Sequence, residues 1–175
     1  GTGVIVSIPK GKWDVIMPED LEKVRPKIEK GDIVIINTGW HKYWGDSTQY
    51  FCESPGLYKE AGAWFVDKGV KAVGVDQQAL DHPLATAIGP HGPGPLRPDI
   101  CKAYKKEKGR EVIEDFPEWE PCHRLLLGNG IMGWENVGGD IDKVSNQRAW
   151  IGAYPLRGIE MESAMCRIVA MLPPK

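Results

Sequence analysis

The run Ile33-Val34-Ile35-Ile36 is apolar and β-branched at every position, and it ends at Asn37. It has neither the alternation of a half-buried strand nor the length of a helix. Such a run belongs in a strand covered on both faces, which calls for layers above and below a sheet. Two more runs have the same character. Val4-Ile5-Val6-Ser7-Ile8 is closed by Pro9 and Gly11, and Lys71-Ala72-Val73-Gly74-Val75-Asp76 follows Gly69. Between the last two strands, Leu57, Ala61, Trp64 and Phe65 sit at i, i+4, i+7 and i+8, and Lys68-Gly69 supplies a basic last turn and a glycine stop. That segment reads as a helix. Strand, helix and strand with a short return predict an α/β fold with parallel pairing.

Other segments fill in the order. Pro18 to Lys27 reads as a short helix carrying Leu21 and Val24, ended near Arg25-Pro26. Thr38 to Gly56 has no period of either kind and reads as a loop, and its aromatic residues argue that it is ordered and functional. Pro83 to Pro98 is a second irregular excursion. Asp99 to Lys108 and Glu118 to Leu127 read as helices, the latter stopped by Gly128-Asn129-Gly130. Ile131 to Val137, Trp150 to Leu156 and Cys166 to Leu172 read as strands. With no repeat and no linker, residues 1–175 are expected to form a single domain.

Composition narrows the function. Lys plus Arg is 22 against 24 for Asp plus Glu, a net charge of −2, so a nucleic-acid partner is not expected. Cys52, Cys101, Cys122 and Cys166 lack CxxC spacing, which excludes a zinc ribbon, and they read as reduced thiols. No apolar run approaches membrane-spanning length, so no membrane partner and a cytoplasmic location are expected. Twenty-one Gly and 14 Pro predict many shaped loops, and seven Trp against three Phe point to packed walls of a core, an interface or a ligand site.

The chain has four histidines, His41, His82, His91 and His123. There is no GxSxG elbow, P-loop, HExxH or GxGxxG after a strand. Cys122 is next to His123, but helical neighbours diverge by about 100° and cannot act as a dyad. The informative pair is His123 with Glu135, one on a helix and the other on the strand that follows. Glu135 interrupts the apolar stretch Ile131-Met-Gly-Trp134, and a buried carboxylate needs a metal, a cation or several donors. Imidazole and carboxylate suit Zn, Mn or Fe. The alternative is an edge-strand Glu135 facing solvent and a satisfied core histidine.

The stretch from Glu120 through His123-Arg-Leu-Leu-Leu-Gly-Asn-Gly to Trp134-Glu135-Asn136 resembles the second metal-binding segment of the cyclase-like metal-dependent hydrolases, a family that includes kynurenine formamidase and isatin hydrolase. In that family a Glu follows the His by twelve residues, as Glu135 follows His123. Three other segments resemble the family in the same order: Trp13-Asp-Val-Ile-Met-Pro-Glu-Asp-Leu21, Gly31-Asp-Ile-Val-Ile-Ile-Asn-Thr-Gly39 and Gly69-Val-Lys-Ala-Val-Gly-Val-Asp76. The family's first metal motif, H-x-G-T-H-x-D-x-P-x-H, has no counterpart; Asp81-His82-Pro83 is similar only superficially and stands alone.

The resemblance implies a swivelling β/β/α-type α/β domain with a mixed sheet, incomplete without an N-terminal segment, and a homo- or hetero-oligomer. It implies a divalent metal, Zn or Mn, bound in part by His123 and Glu135. The activity implied is hydrolysis of an amide, formamide or lactam C–N bond in an aromatic or cyclic substrate. The other ligands and an acid/base His would come from a precursor segment or a second polypeptide carrying the missing motif, and the abrupt start at Gly1 is read as a cut or subunit boundary. No catalytic residue is expected within this chain. Trp40, His41 and Trp44 are placed to wall a substrate pocket, or else to make packing or subunit contacts. Asp76 ends a strand and either lines the site or forms a turn with Gln77-Gln78. The rival readings are a non-catalytic subunit or binding protein that kept the fold, and a true ring-closing cyclase.

Overall fold

A computed structural model describes residues 1–172. Its elements in chain order are β1 (Thr2–Ser7), β2 (Val15–Ile16), α1 (Pro18–Lys23), β3 (Ile33–Asn37), α2 (Thr48–Cys52), β4 (Gly56–Leu57), α3 (Lys59–Lys68), β5 (Ala72–Val75), α4 (Pro98–Lys108), α5 (Val112–Asp115), α6 (Pro121–Gly128), β6 (Met132–Trp134), α7 (Ile141–Val144), β7 (Gln147–Pro155) and β8 (Cys166–Met171). Six strands form one mixed sheet in the order β6-β5-β3-β1-β7-β8. β6, β5, β3 and β1 run parallel, and β7 and β8 add antiparallel strands beyond β1. This is the expected α/β architecture with a mixed sheet. Among the described residues no helix is long and apolar enough to cross a membrane.

The apolar runs explain the layers. Successive side chains of a strand point to opposite faces. Val34 and Ile36 of β3 join Val4, Val6, Val73 and Val75 on one face, under Leu21 of α1, Phe65 of α3 and Leu126 of α6. Ile33 and Ile35 point the other way, to a second cluster with Ile5, Ile151 and Ile141 of α7. β3 is buried along its whole length, as its unbroken apolar run requires. α3 ends where Gly69 takes φ +71° and its N–H reaches back to the carbonyls of Phe65 and Val66.

Several boundaries differ from the sequence reading, for local reasons. Leu57 is in β4, not in the helix that follows. It is buried because β4 pairs with β2, and Gly56 fits there because a Cβ would sit 2.3 Å from the Cα of His82. Thr38 to Gly56 is not a plain loop. It holds a 3-10 turn at Trp40–Tyr43 and α2, capped by Ser47 Oγ accepting from Tyr50 N–H. The helix expected from Glu118 begins at Pro121, because Glu120 takes φ +44°. The strand expected over 131–137 is only Met132–Trp134, so Glu135 lies just past its end.

The Pro- and Gly-rich excursion folds over a small core of its own, built from Trp13, Tyr58, Leu84, Tyr104 and Phe116. His82 is fully buried in it, with its ring stacked on Phe116 at 4.1 Å and Nδ1 accepting from Leu84 N–H at 3.2 Å. Burial pushes the His82 imidazole down to about 3. The unfolded chain would bind a proton near pH 6.5 that the folded chain refuses until about pH 3, so stability falls as pH drops through that window. The expected slope is about 1.4 kcal/mol per pH unit from this one group. His82→Asn keeps an acceptor for Leu84 but cannot titrate. Thermal melts between neutral and mildly acid pH should therefore fall less for the variant than for the wild type, and parallel falls would refute the assignment.

Candidate functional site

The four parallel strands present their carboxyl ends at one edge of the sheet, where α/β sheets hold ligands. The segments leaving β3, β5 and β6 there carry the polar residues that apolar strands cannot hold.

Asp76 follows β5 directly and is fully buried. Its Oδ1 accepts from Thr38 N–H at 2.9 Å and Thr38 Oγ1 at 2.6 Å, and its Oδ2 accepts from Gly39 N–H at 2.9 Å and His41 N–H at 3.2 Å. The His41 ring lies against the same Oδ2, with Nδ1 at 2.9 Å. On its far side, His41 Nε2 is 3.4 Å from Asp142 Oδ2, and the other Asp142 oxygen accepts from Asn37 at 2.9 Å. Asp76 therefore shapes the whole turn after β3 rather than forming a turn with Gln77-Gln78. Trp40 packs inward, its Nε1 donating to Tyr50 O at 3.2 Å and its ring 4.8 Å from that of Tyr43. Trp44 points outward, 71% exposed.

A second histidine–aspartate pair lies after β5. Asp81, also fully buried, accepts from Cys122 N–H at 2.8 Å through Oδ1 and from His123 N–H at 2.8 Å through Oδ2. It thus caps the first turn of α6, where the peptide N–H groups have no partner inside the helix and the helix dipole favours a carboxylate. The same Oδ2 lies 2.7 Å from His123 Nδ1. His123 Nε2 then faces Glu135 Oε1 at 3.0 Å, and that oxygen also accepts from Leu80 N–H at 2.9 Å. Burial opposes charge on His123, but its hydrogen bonds to the Asp81 and Glu135 carboxylates outweigh it and raise the imidazole to about 10.

Glu135 is aimed by the residue after it. Asn136 takes φ +56°, its N–H donates to Gln77 O at 2.8 Å, and its side-chain oxygen accepts from Tyr50 OH at 2.7 Å. Tyr50 is pushed up to about 12 by burial and by the charges of Asp76 and Glu135.

His123 and Glu135 therefore meet, at 3.0 Å, and so do His41 and Asp76, at 2.9 Å. The sequence reading set Asp81 aside and overlooked Tyr50, Asn136 and Asp142. Asp81 carried a usable signal: like Glu135, it is a carboxylate that follows an apolar segment, here Ala79-Leu80. The donor set suits a metal in part. Nε2 and a carboxylate oxygen, both partly exposed, face one another, and a buried carboxylate fixes the tautomer from behind, as in many metal-bound histidines. Among the described residues no group of three or more His, Cys, Asp or Glu has the arrangement to hold a metal ion.

Residues 1–82 match the family described as putative cyclase. None of the curated proteins compared matches the sequence significantly. Solved structures do share the fold. Isatin hydrolase A from Ralstonia solanacearum has a TM-score of 0.68 at 18% identity, over 97% of this chain and 59% of its own. An isatin hydrolase bound to the product analogue thioisatinate has a TM-score of 0.69 at 19% identity, over 99% of this chain and 61% of its own. A predicted metal-dependent hydrolase from Bacillus stearothermophilus has 0.62 at 19%, over 97% and 62%. The chain thus spans about three fifths of the length of the structures it resembles.

Proposed function

We propose that this chain, which resembles the cyclase-like metal-dependent hydrolases, contributes part of the metal centre of a hydrolase acting on an amide, formamide or lactam C–N bond. The observation that carries the reading is the relay Asp81–His123–Glu135, in which a partly exposed Nε2 and carboxylate oxygen stand 3.0 Å apart with Nδ1 held by a buried carboxylate. His123 and Glu135 would hold a divalent ion, Zn or Mn. Such an ion, when bound, lowers the pKa of its water and polarises a carbonyl. His123 must give up the proton that its two carboxylates now favour before Nε2 can ligate. Asp81 keeps the ring oriented through that change. His41, one strand over at the same sheet edge, would meet the substrate, with the buried Asp76 orienting its ring. The remaining ligands and the acid/base group would come from a segment or partner outside this chain.

One observation favours a second reading, a non-catalytic protein that kept the fold. The triad is satisfied without any ion, since both ring nitrogens of His123 already face carboxylates. Metal analysis of the intact assembly, with the segment or partner that completes the site, separates the two. The hydrolase reading expects Zn or Mn at near-stoichiometric levels, and at least about a tenfold loss in His123→Ala or Glu135→Gln with the melting transition retained. A wild-type assembly that neither co-purifies with metal nor takes it up would sink it.

A further inference from the structure

Glu135 stands on the least supported part of the site. β6 is the edge strand of the sheet, pairs only with β5 and stops at Trp134. Glu135 and Asn136 follow it on exposed chain. Three hydrogen bonds tie that exit to β5 and its extension: Leu80 N–H to Glu135 Oε1, Asn136 N–H to Gln77 O, and Val137 N–H to Val75 O. Among the described residues a single hydrogen bond reaches the exit from the β3 side, from Tyr50 OH to Asn136 Oδ1 at 2.7 Å. Tyr50 is buried and its backbone is held twice, with its N–H donating to Ser47 Oγ and its carbonyl accepting from Trp40 Nε1. Because its hydroxyl is pushed up to about 12, it stays a donor throughout the neutral range. The segment from Trp40 to Tyr50 is thus joined to the chain at Glu135 through one phenol and one side-chain amide.

We infer that Tyr50 is a positioning residue, the link through which the aromatic segment after β3 sets the carboxylate that Glu135 presents to His123. The inference rests on the proposed role of Glu135 as a metal ligand, and it adds control of that ligand by the segment bearing Trp40, His41 and Trp44. Backbone conformation supplies the reason. Asn136 holds φ +56°, a left-handed conformation that Asn tolerates but does not prefer. A bond to its side-chain oxygen fixes the side chain and so selects that conformation, which turns the chain immediately after Glu135. Without the hydroxyl, Asn136 is free to relax toward an extended conformation, and Glu135 swings away from Leu80 N–H and His123 Nε2. The link also carries motion inward. A ligand that shifts the Trp40 indole pulls on the Tyr50 carbonyl and, through the phenol, on Asn136.

Amide hydrogen exchange of the metal-free chain is the first readout. Leu80 N–H is bonded to Glu135, so its exchange reports the carboxylate, while the amides of β1 and β3 report global opening. Tyr50→Phe should speed exchange at Leu80 about fivefold and leave the β1 and β3 amides within about twofold. Tyr104→Phe removes a matched buried hydroxyl bond, to Asp115 at 2.7 Å, and should leave Leu80 unchanged. Asn136→Gly deletes the acceptor while tolerating the left-handed conformation, so adding Tyr50→Phe to it should have no further effect. Trp40→Phe loses the donor to Tyr50 O and should speed Leu80 exchange about threefold, although Trp40 hydrogen-bonds to neither Asn136 nor Glu135. The second readout is Mn²⁺ affinity of the intact assembly by electron paramagnetic resonance, expected to fall about tenfold in Tyr50→Phe and to hold in Tyr104→Phe. A wild-type assembly that takes up no Mn²⁺ overturns the metal reading, and with it the role given to Glu135, whatever Leu80 does. Where the wild type binds Mn²⁺, Leu80 exchange unchanged by Tyr50→Phe or Trp40→Phe, or raised equally by Tyr104→Phe, overturns the link alone.

Discussion

Asp76→Ala should be the most damaging single truncation in this fold. Five donor contacts converge on two oxygens with no access to water: three backbone N–H groups, the Thr38 hydroxyl and the His41 ring. Removing the carboxylate leaves the Thr38 N–H and hydroxyl buried without that acceptor, at about 1–3 kcal/mol each before relaxation, and strips the partly buried His41 N–H and ring of theirs, while Gly39 N–H keeps Asn37 Oδ1 at 2.9 Å. Water entering the vacated space would recover part of this. A net loss of about 4 kcal/mol is expected, which for a chain of this size lowers Tm by roughly 10 °C. Asp76→Asn keeps one acceptor and should lose about half as much. His41→Ala removes only the ring contact and should cost about 1 kcal/mol, because the His41 backbone stays bound. Near-ultraviolet circular dichroism should report loosening of the turn through Trp40, whose indole is anchored on the same segment. An Asp76→Ala protein that melts within about 1 kcal/mol of the wild type would show that the turn after β3 is held by something else.

What could be read from the sequence followed the length of each element and the distance over which it is held. β1, β3 and β5 stood out because a strand buried on both faces leaves an unbroken apolar run, and α3 because ten residues give room for a period. α2, α5 and α7 have four or five residues each, bury one or two of them, and leave no periodic trace. β2 and β4 are two residues long and exist only because tertiary contacts place them side by side. The site divides in the same way. His123 and Glu135 are joined by one helix and one short turn into β6, so their spacing carries information. Asp81 is 42 residues from His123 in sequence, and only the packing of α6 against the segment after β5 brings them to 2.7 Å. The relay's outer carboxylate was legible, and the inner one that orients the ring was not.

Asp81→Asn should separate the metal reading from the fold in a way that no change at Asp76 can. In the wild type each Asp81 oxygen faces only donors: Cys122 N–H on one side, His123 N–H and the His123 ring on the other. An amide must turn its NH2 toward one of those sides, so a donor meets a donor in a buried place. The expected destabilisation is about 3 kcal/mol, since one member of a buried charged pair is lost. The effect also has a pH signature in metal-free protein. The folded pKa of His123 is raised to about 10 from an ordinary 6.5, so its contribution to stability is fully present below pH 6.5 and disappears as pH rises toward 10. The stability gap between wild type and Asp81→Asn should therefore narrow over that window, and the His123 resonance of the variant should titrate closer to the ordinary value. For metal content the expected loss is about 10- to 100-fold, although Asp81 touches no proposed ligand atom except through the ring it orients. Asp76→Ala, by contrast, leaves the His123–Glu135 pair in place and should retain metal as long as it stays folded. If both variants keep their metal, the ion does not depend on the inner carboxylate. If both lose it in step with their stability, the loss reports unfolding. Only loss in Asp81→Asn with retention in folded Asp76→Ala assigns the inner carboxylate to the metal centre.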